Sequence, residues 1–323
     1  MSNNHIISIE REAKISVNIG RIEISFINAE QKHYFTPFDI AILILAHNCI
    51  QITGNAIKEL SKNGALIMTV NDNFMPLALT IPLGINSDGA RRPHKQASFI
   101  NSEAQKMCWQ QLVQAKILGQ AKILDSIDKQ KAEHLRYNAG KVLPADINNM
   151  ESISAKIYWD CFFEYLQSPV NIRQKQGADD LINICLNYGY AIMRAIVSRS
   201  LVSMGLCLNF GVGHHRKDNP FNLAEDFIEP FRYIVDSIVL NLPLQEHKEF
   251  NPELKKILLA EILKTTVDIE GKTYRLFQAV DFAVNSFCNT LDDYRKKLLL
   301  PNMLVKRGVK PQMPEIFHTK YED

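Results

Sequence analysis

Apolar and polar positions alternate through the first part of the chain. Ile15, Val17 and Ile19 alternate with polar neighbours, as do Ile22, Ile24 and Phe26, and Asn18-Ile-Gly20 separates the two runs. A period of two predicts a hairpin with one buried face. The continuous apolar run over 40–45 and the stretch 49–53 predict two more short strands, followed by a helix over 53–63 stopped at Gly64. Strands over 65–70 and 77–81 flank the turn-rich Asn71-Asp-Asn-Phe-Met-Pro76. The sheet expected from these runs is small and packs on itself or on a second copy of the chain.

From residue 99 the apolar period lengthens to that of a helix. Helices are expected over 107–127, with Met107, Gln111, Gln114 and Leu118 in register, over 129–138 with Gly140 as its end, and over 151–166. The stretch 178–204 is long and mainly apolar, so it should form the centre of the helical core, with Arg194 and Arg199 needing partners or solvent. Helices over 227–239, 252–264 and 277–300 follow, and residues 267–269 and 272–274 read as a short strand pair about Glu270-Gly271. Residues 84–96 are rich in Gly, Asn, Asp and Pro and read as a linker carrying Arg91, Arg92 and Lys95. The fold class is therefore α+β. A small N-terminal β domain (1–86) is joined by a basic linker (87–98) to a larger all-helical C-terminal domain (99–302), and 303–323 form a loose tail. No internal repeat is visible.

Composition narrows this picture little. With 323 residues, 46 % of them hydrophobic, the chain can bury a real core. A formal net charge of +2 is too small to prove a nucleic-acid partner, so local clusters must make that case. The six cysteines are scattered without a Cys-x-x-Cys pair, which argues for reduced thiols in a cytosolic protein rather than a zinc site or a disulfide framework. The N-terminus lacks a signal-peptide pattern, and the apolar run over 40–46 is too short to cross a bilayer.

The densest chemistry lies in residues 211–232, Gly-Val-Gly-His-His-Arg-Lys-Asp-Asn-Pro-Phe-Asn-Leu-Ala-Glu-Asp-Phe-Ile-Glu-Pro-Phe-Arg. Gly211 and Gly213 open backbone angles closed to other residues. Asn222 with Glu225 three later suits a capping box, so a helix should begin near Leu223 and kink at Pro230, just after Glu229. Asp226 and Glu229 then share one helical face. Two carboxylates beside a histidine pair can hold a divalent cation, Mg²⁺ or Mn²⁺, with an imidazole favouring Mn²⁺. The same residues also suit an ordinary polar loop and a helix start, where first-turn carboxylates are favoured by the dipole.

Three separated pieces, Glu151-Ser-Ile-Ser-Ala-Lys-Ile-Tyr-Trp159, Leu186-Asn-Tyr-Gly-Tyr-Ala-Ile-Met-Arg-Ala195 continuing to Arg199, and the 211–232 stretch, resemble the CRISPR adaptation integrase, the Cas one endonuclease family. Phe-Asn-Leu-Ala-x-Asp-x-x-Glu-Pro-Phe-Arg and the helix Trp109-Gln-Gln-Leu-Val-Gln-Ala-Lys-Ile117 look most like members from type II systems, although Asn219-Pro220 departs from their usual Tyr-Asn. The resemblance covers most of residues 90–300. It implies a catalytic metal site of Glu151, His214 and Glu229, with Asp226 as a supporting partner and His215 as the alternative imidazole. It implies Mg²⁺ or Mn²⁺ as cofactor and phosphodiester transfer as the reaction: the 3′-hydroxyl of a short duplex attacks the ends of a CRISPR repeat and inserts a new spacer.

The implied partners are double-stranded DNA (prespacer and repeat), a second copy in a homodimer, the small Cas two protein and the effector nuclease of the system. The implied location is the prokaryotic cytoplasm, away from any membrane. Backbone phosphates would be met by Arg91, Arg92, Lys95, Arg216, Lys217 and Arg232, with a further basic run at Arg295, Lys296, Lys297, Lys306, Arg307 and Lys310. Two other readings stay open: a metal-dependent nuclease selective for branched DNA, and a non-enzymatic nucleic-acid-binding scaffold.

Overall fold

The computed structural model of the chain describes residues 5–27, 29–70, 76–80, 82, 91–175, 177–301 and 303–304. The N-terminal part contains β1 (His5–Ile9), β2 (Ala13–Asn18), β3 (Arg21–Phe26), β4 (Lys32–Phe35), β5 (Ile40–Leu45), β6 (Gln51–Ile52), α1 (Gly54–Lys62), β7 (Leu66–Val70) and β8 (Pro76–Thr80). Two four-stranded sheets result, with strand orders β1-β5-β7-β8 and β4-β3-β2-β6. The expected hairpin is β2–β3, in register from Ala13 opposite Phe26 to Asn18 opposite Arg21. Its two-residue turn holds Ile19 at φ 46° and Gly20 at φ 73°. A β-branched residue at positive φ is strained, and Ile19 is also 97 % exposed.

The apolar run of β5 has a clear cause. β5 pairs in parallel with both β1 and β7, and a parallel strand covered on both faces needs no polar side. Ile7, Leu43 and Ile67 point into a core shared with β2, β3 and α1. Ile6, Ile42, Ile44, Leu66 and Met68 belong instead to the core of the helical part. The first sheet therefore packs on the second sheet through one face and on the helices through the other. The expectation of a sheet packed only on itself or on a second copy is corrected by that second apolar face.

The rest of the chain folds as α2 (Arg91–Phe99), α3 (Glu103–Leu124), α4 (Lys129–Lys141), α5 (Met150–Tyr165), α6 (Leu181–Ser203), α7 (Asn222–Ile228), α8 (Arg232–Leu240), α9 (Pro252–Lys264), β9 (Thr266–Ile269), β10 (Lys272–Arg275), α10 (Leu276–Asp292) and β11 (Met303–Leu304). The predicted strand pair is present and gains β11 as a third strand, so this part is helical with one small sheet. α6 is long and apolar enough to cross a membrane, but most of it is buried inside the protein, as the central helix should be. Arg194 meets Glu225 at 2.6 Å, and Arg199 donates to the Gly64 carbonyl of the β part at 3.1 Å.

Three elements differ from expectation, the first being the last helix, expected over 277–300, which ends at Asp292 with residues 293–300 non-helical. The basic stretch read as a linker is the helix α2 from Arg91 onward. Gln96 is buried, accepting from Cys207 N at 2.8 Å and donating to Cys207 O at 3.1 Å. Such two-way amide pairing fixes a helix that propensity alone would leave open. Residues 83–90 and 305–323, including Lys306, Arg307 and Lys310, lie outside the described residues. On α3, Met107 and Leu118 are exposed, and the buried stripe runs instead through Gln105, Cys108, Leu112, Ile117 and Gly119 to Ile123.

Candidate metal and DNA site

Residues 211–222 form a loop pinned from both sides. From α7, Asp226 is fully buried. Its carboxylate accepts the backbone N–H of Val212, of Gly213 at 3.2 Å and of His214 at 2.9 Å, and meets His214 Nδ1 at 2.7 Å. From α3, Gln105 Nε2 donates to the Val212 carbonyl at 2.7 Å. Trp109 packs edge-on to the His214 ring at 5.6 Å. Asn222 closes the loop by accepting from Arg216 N at 3.2 Å and donating to Arg216 O at 2.9 Å. It is therefore a loop clasp rather than a helix cap. Phe221, whose side chain has no polar atom, stands at the N-cap of α7 with no side-chain cap bond.

The two glycines act by size, not by backbone angle. Neither is among the positive-φ residues. A Cβ at Gly211 would overlap the His214 carbonyl oxygen, and one at Gly213 would overlap the Trp109 indole. That corrects the backbone-angle expectation: the loop needs close approach at these positions.

Pro230 breaks the helix as expected. A single 3₁₀ turn, Glu229–Phe231, separates α7 from α8 and carries Glu229, 3 % exposed, to the protein interior. Glu151 comes from the first turn of α5, whose start is held by Asp146 accepting from Met150 N at 2.8 Å and Glu151 N at 3.1 Å. Between the two glutamates stands Lys116 of α3, its Nζ 2.5 Å from Glu151 Oε1 and 2.6 Å from Glu229 Oε2. The Glu229 Oε2 atom is buried without an aligned hydrogen-bond donor, so the contact with Lys116 is charge proximity. Glu229 Oε1 accepts from Arg232 Nε at 2.9 Å. Arg232 also reaches Glu225 at 3.4 Å, and Glu225 reaches Arg194 at 2.6 Å. Charges thus alternate along one ladder, Arg194, Glu225, Arg232, Glu229, Lys116 and Glu151, drawn from α6, α7, α8, the 3₁₀ turn, α3 and α5.

Electrostatics follow from this ladder. Burial pushes the Glu229 carboxyl up, but Arg232 and Lys116 outweigh it and hold the group at about 2. Burial disfavours the Lys116 charge, yet Glu229 and Glu151 more than offset this and raise its pKa. For His214, burial is outweighed by Asp226, with Glu229 and Glu151 adding to the upward shift. Both glutamates therefore lie within electrostatic range of the ring. With Asp226 engaging Nδ1, Nε2 is the nitrogen left for a ligand.

His215 faces elsewhere. Its Nε2 is 3.3 Å from Gln105 Nε2, and it lines an open cleft of about 470 Å³ with Arg216, Lys217 and Asp218. Arg216 pairs with Asp218 at 2.9 Å, and Lys217 is exposed. In α2, Arg91 is exposed, Arg92 donates to the Met204 carbonyl and Lys95 pairs with Asp292. Arg232 is largely buried and committed to Glu225 and Glu229, so it faces carboxylates rather than open solvent. Arg295 pairs with Asp293 at 2.9 Å.

Among the described residues no three His, Cys, Asp or Glu side chains close on a common point. The donor set nevertheless suits a hard divalent cation: two carboxylates that already converge on one cationic atom, and an imidazole with a nitrogen to offer. Lys116 is the site residue that sequence reasoning misses. Its signal is a lysine one turn from the buried Leu112 and next to the buried Ile117 of α3, where an unpaired charge is costly.

Behind the ladder lies a second buried acid. Asp236 accepts from Tyr158 Oη at 2.8 Å and from Tyr190 Oη, and Arg232 stacks over the Tyr190 ring at 4.5 Å. Burial raises Asp236 to about 6, with the tyrosines and Arg232 opposing. A folded pKa above the unfolded one gives stability that is full below about pH 4 and is lost as pH rises through about 6. The stability of the protein relative to its Asp236→Asn variant should therefore fall by on the order of 3 kcal/mol between pH 4 and 7. Denaturant midpoints of both proteins at several pH values test this, and a constant difference refutes it.

Residues 6–267 match the family described as CRISPR associated protein Cas1. The CRISPR-associated endonuclease Cas1 of Neisseria meningitidis serogroup C (strain 8013) is 31 % identical over 284 residues, covering 85 % of this chain and 88 % of that protein. Two solved structures share the fold. A casposase bound to integration product superposes with TM-score 0.75 at 22 % identity over 91 % of each chain. A chain of a Cas6-RT-Cas1–Cas2 complex superposes with TM-score 0.74 at 14 % identity, over 91 % of this chain and 35 % of that one.

Proposed function

The chain belongs to the Cas1 family of CRISPR-associated proteins, and on that premise we propose that it is a metal-dependent DNA endonuclease and integrase of CRISPR adaptation. The observation that carries this reading is the convergence of Glu151 and Glu229, far apart in sequence, on one cationic atom at 2.5 and 2.6 Å beside the buffered His214. Glu151, Glu229 and His214 Nε2 would hold Mg²⁺ or Mn²⁺. A divalent cation bound there supplies Lewis-acid polarisation of the attacked phosphate and lowers the pKa of the attacking 3′-hydroxyl. Asp226 fixes the His214 ring and the loop backbone together, and Arg232 orients Glu229. The 3′-hydroxyl of the inserted duplex forms a new phosphodiester with the repeat strand as the old P–O bond breaks, so bond count is conserved without nucleotide hydrolysis.

Captured DNA varies in sequence, so binding must rest on backbone phosphates and depend on salt. Exposed Arg91 and Lys217 serve this best, because Lys95, Arg216 and Arg232 already face carboxylates. Replacing both with Glu should weaken duplex binding at low salt and flatten the salt dependence by about 0.9 per lost contact; an unchanged titration curve refutes the assignment. Family membership supports a homodimer as the assembled form. The Cas1–Cas2 neighbour supports the small Cas two protein as a further partner.

Purified protein and that partner should join a labelled duplex to a supercoiled plasmid carrying a leader and repeat. Joining is expected only with a free 3′-hydroxyl and Mg²⁺ or Mn²⁺, and not with a 3′-dideoxy end or a chelator. Metal-dependent cutting without joining would favour the branched-DNA nuclease. An unaltered plasmid under every condition would sink the enzymatic reading.

A further inference from the structure

Among the described residues, Lys116 is placed unlike any other cation. Its side chain is 12 % exposed and its Nζ touches the two carboxylates that the proposed function assigns to the metal, one oxygen of each. Every other partner in the ladder is supplied from elsewhere: Arg232 holds Glu229 Oε1, and Arg194 and Arg232 hold Glu225. The charges of the ladder balance, three cations against three carboxylates. The buried Glu229 and the partly exposed Glu151 would repel each other at this point without a cation between them.

We infer that Lys116 is a built-in counter-ion that takes the divalent cation's place between Glu151 and Glu229 and must withdraw when the cation binds. This rests on the metal site proposed above and adds a regulator to it. The ammonium is tethered, so its local concentration is fixed, and an entering cation has to displace it as well as shed water. Without metal, Lys116 keeps both carboxylates in position. With metal, its flexible stem allows the head to leave the carboxylates without moving α3. The site is then ordered at all times, at the expense of cation affinity. Lys116 is a positioning residue in this scheme, since it acts through the two glutamates.

The test measures Mn²⁺ binding by loss of the free-ion paramagnetic resonance signal, on full-length wild type, Lys116→Met and Lys116→Arg. Lys116→Met should bind Mn²⁺ at least tenfold more tightly than wild type. Its melting temperature without metal should be several degrees lower, and Mn²⁺ should recover more of it than in wild type. Lys116→Arg keeps the cation and should stay near wild type in both measurements. Should Lys116→Met fail to fold without metal, Lys116→Gln carries the same comparison. Equal or weaker Mn²⁺ binding by the neutral variants, with wild-type binding abolished by Glu229→Gln, overturns this inference alone. Mn²⁺ binding indifferent to Glu229→Gln overturns the metal site and this inference with it.

Discussion

Glu229→Gln and His214→Ala should each abolish strand transfer while leaving a folded protein that still binds DNA. The first removes a buried carboxylate oxygen that no other residue replaces. Its loss does not strand the neighbouring cations, because Lys116 keeps Glu151 at 2.5 Å and Arg232 keeps Glu225 at 3.4 Å. The fold therefore has a local route to tolerate the change. The second leaves Asp226 buried, but its carboxylate still accepts backbone N–H groups from Val212, Gly213 and His214. Lewis-acid stabilisation of this kind is worth several kcal/mol, so a loss of about 10³-fold or more is expected for either variant. His215→Ala should keep transfer within a few-fold of wild type, since His215 is exposed and faces Gln105 and the outer cleft. Single-turnover joining of a labelled duplex, with DNA affinity and thermal melting measured in parallel, decides the matter. Transfer retained by His214→Ala and lost by His215→Ala moves the ligand to the second histidine. Transfer retained by Glu229→Gln removes that glutamate from the site.

The elements of this fold are largely legible because they follow short-range rules. The β2–β3 hairpin, the apolar β5, the central α6 and the break at Pro230 each have a local cause: alternation, continuous burial, an apolar run and a missing N–H with a steric clash. The strands β1 and β4 escape such reading, one in the opening residues and one with only Phe35 buried to mark a face. The helix α2 is hidden by its composition, since the reason for it lies at Cys207. His214, His215, Asp226 and Glu229 stand out by type and spacing within residues 211–232, whereas Glu151 is reached only through the family resemblance. What spacing cannot supply is the set of partners that Lys116 and Arg232 meet. That set depends on which side chains from separate elements meet, and a charge pair across helices leaves no period in the sequence.

Gly211→Ala should be among the most damaging single methyl additions in the protein. The sequence suggests backbone freedom at this glycine, but the chain there does not use positive φ. The requirement is space. An added Cβ would overlap the carbonyl oxygen of His214 and come within 3.0 Å of Asn222 Cβ and 3.1 Å of Asp226 Oδ2. Only a far side-chain end could yield cheaply, and two of these three neighbours are a backbone atom and a Cβ. The loop itself must then move, and it is the loop that Asp226 holds through three backbone N–H groups and the His214 ring. A shift near 1 Å at a reacting group costs roughly 100-fold in rate, and overpacking of this kind costs about 1–3 kcal/mol in stability. Strand transfer should fall by at least about 100-fold, with Mn²⁺ binding weakened in step because the His214 nitrogen leaves its place. Gly140→Ala is the matched control, since a Cβ there meets open space, and it should be silent in both measurements. Near-normal transfer by Gly211→Ala would mean that the loop can reposition His214 without help from its present packing, and the role of Asp226 as the anchor of that loop would fall with it.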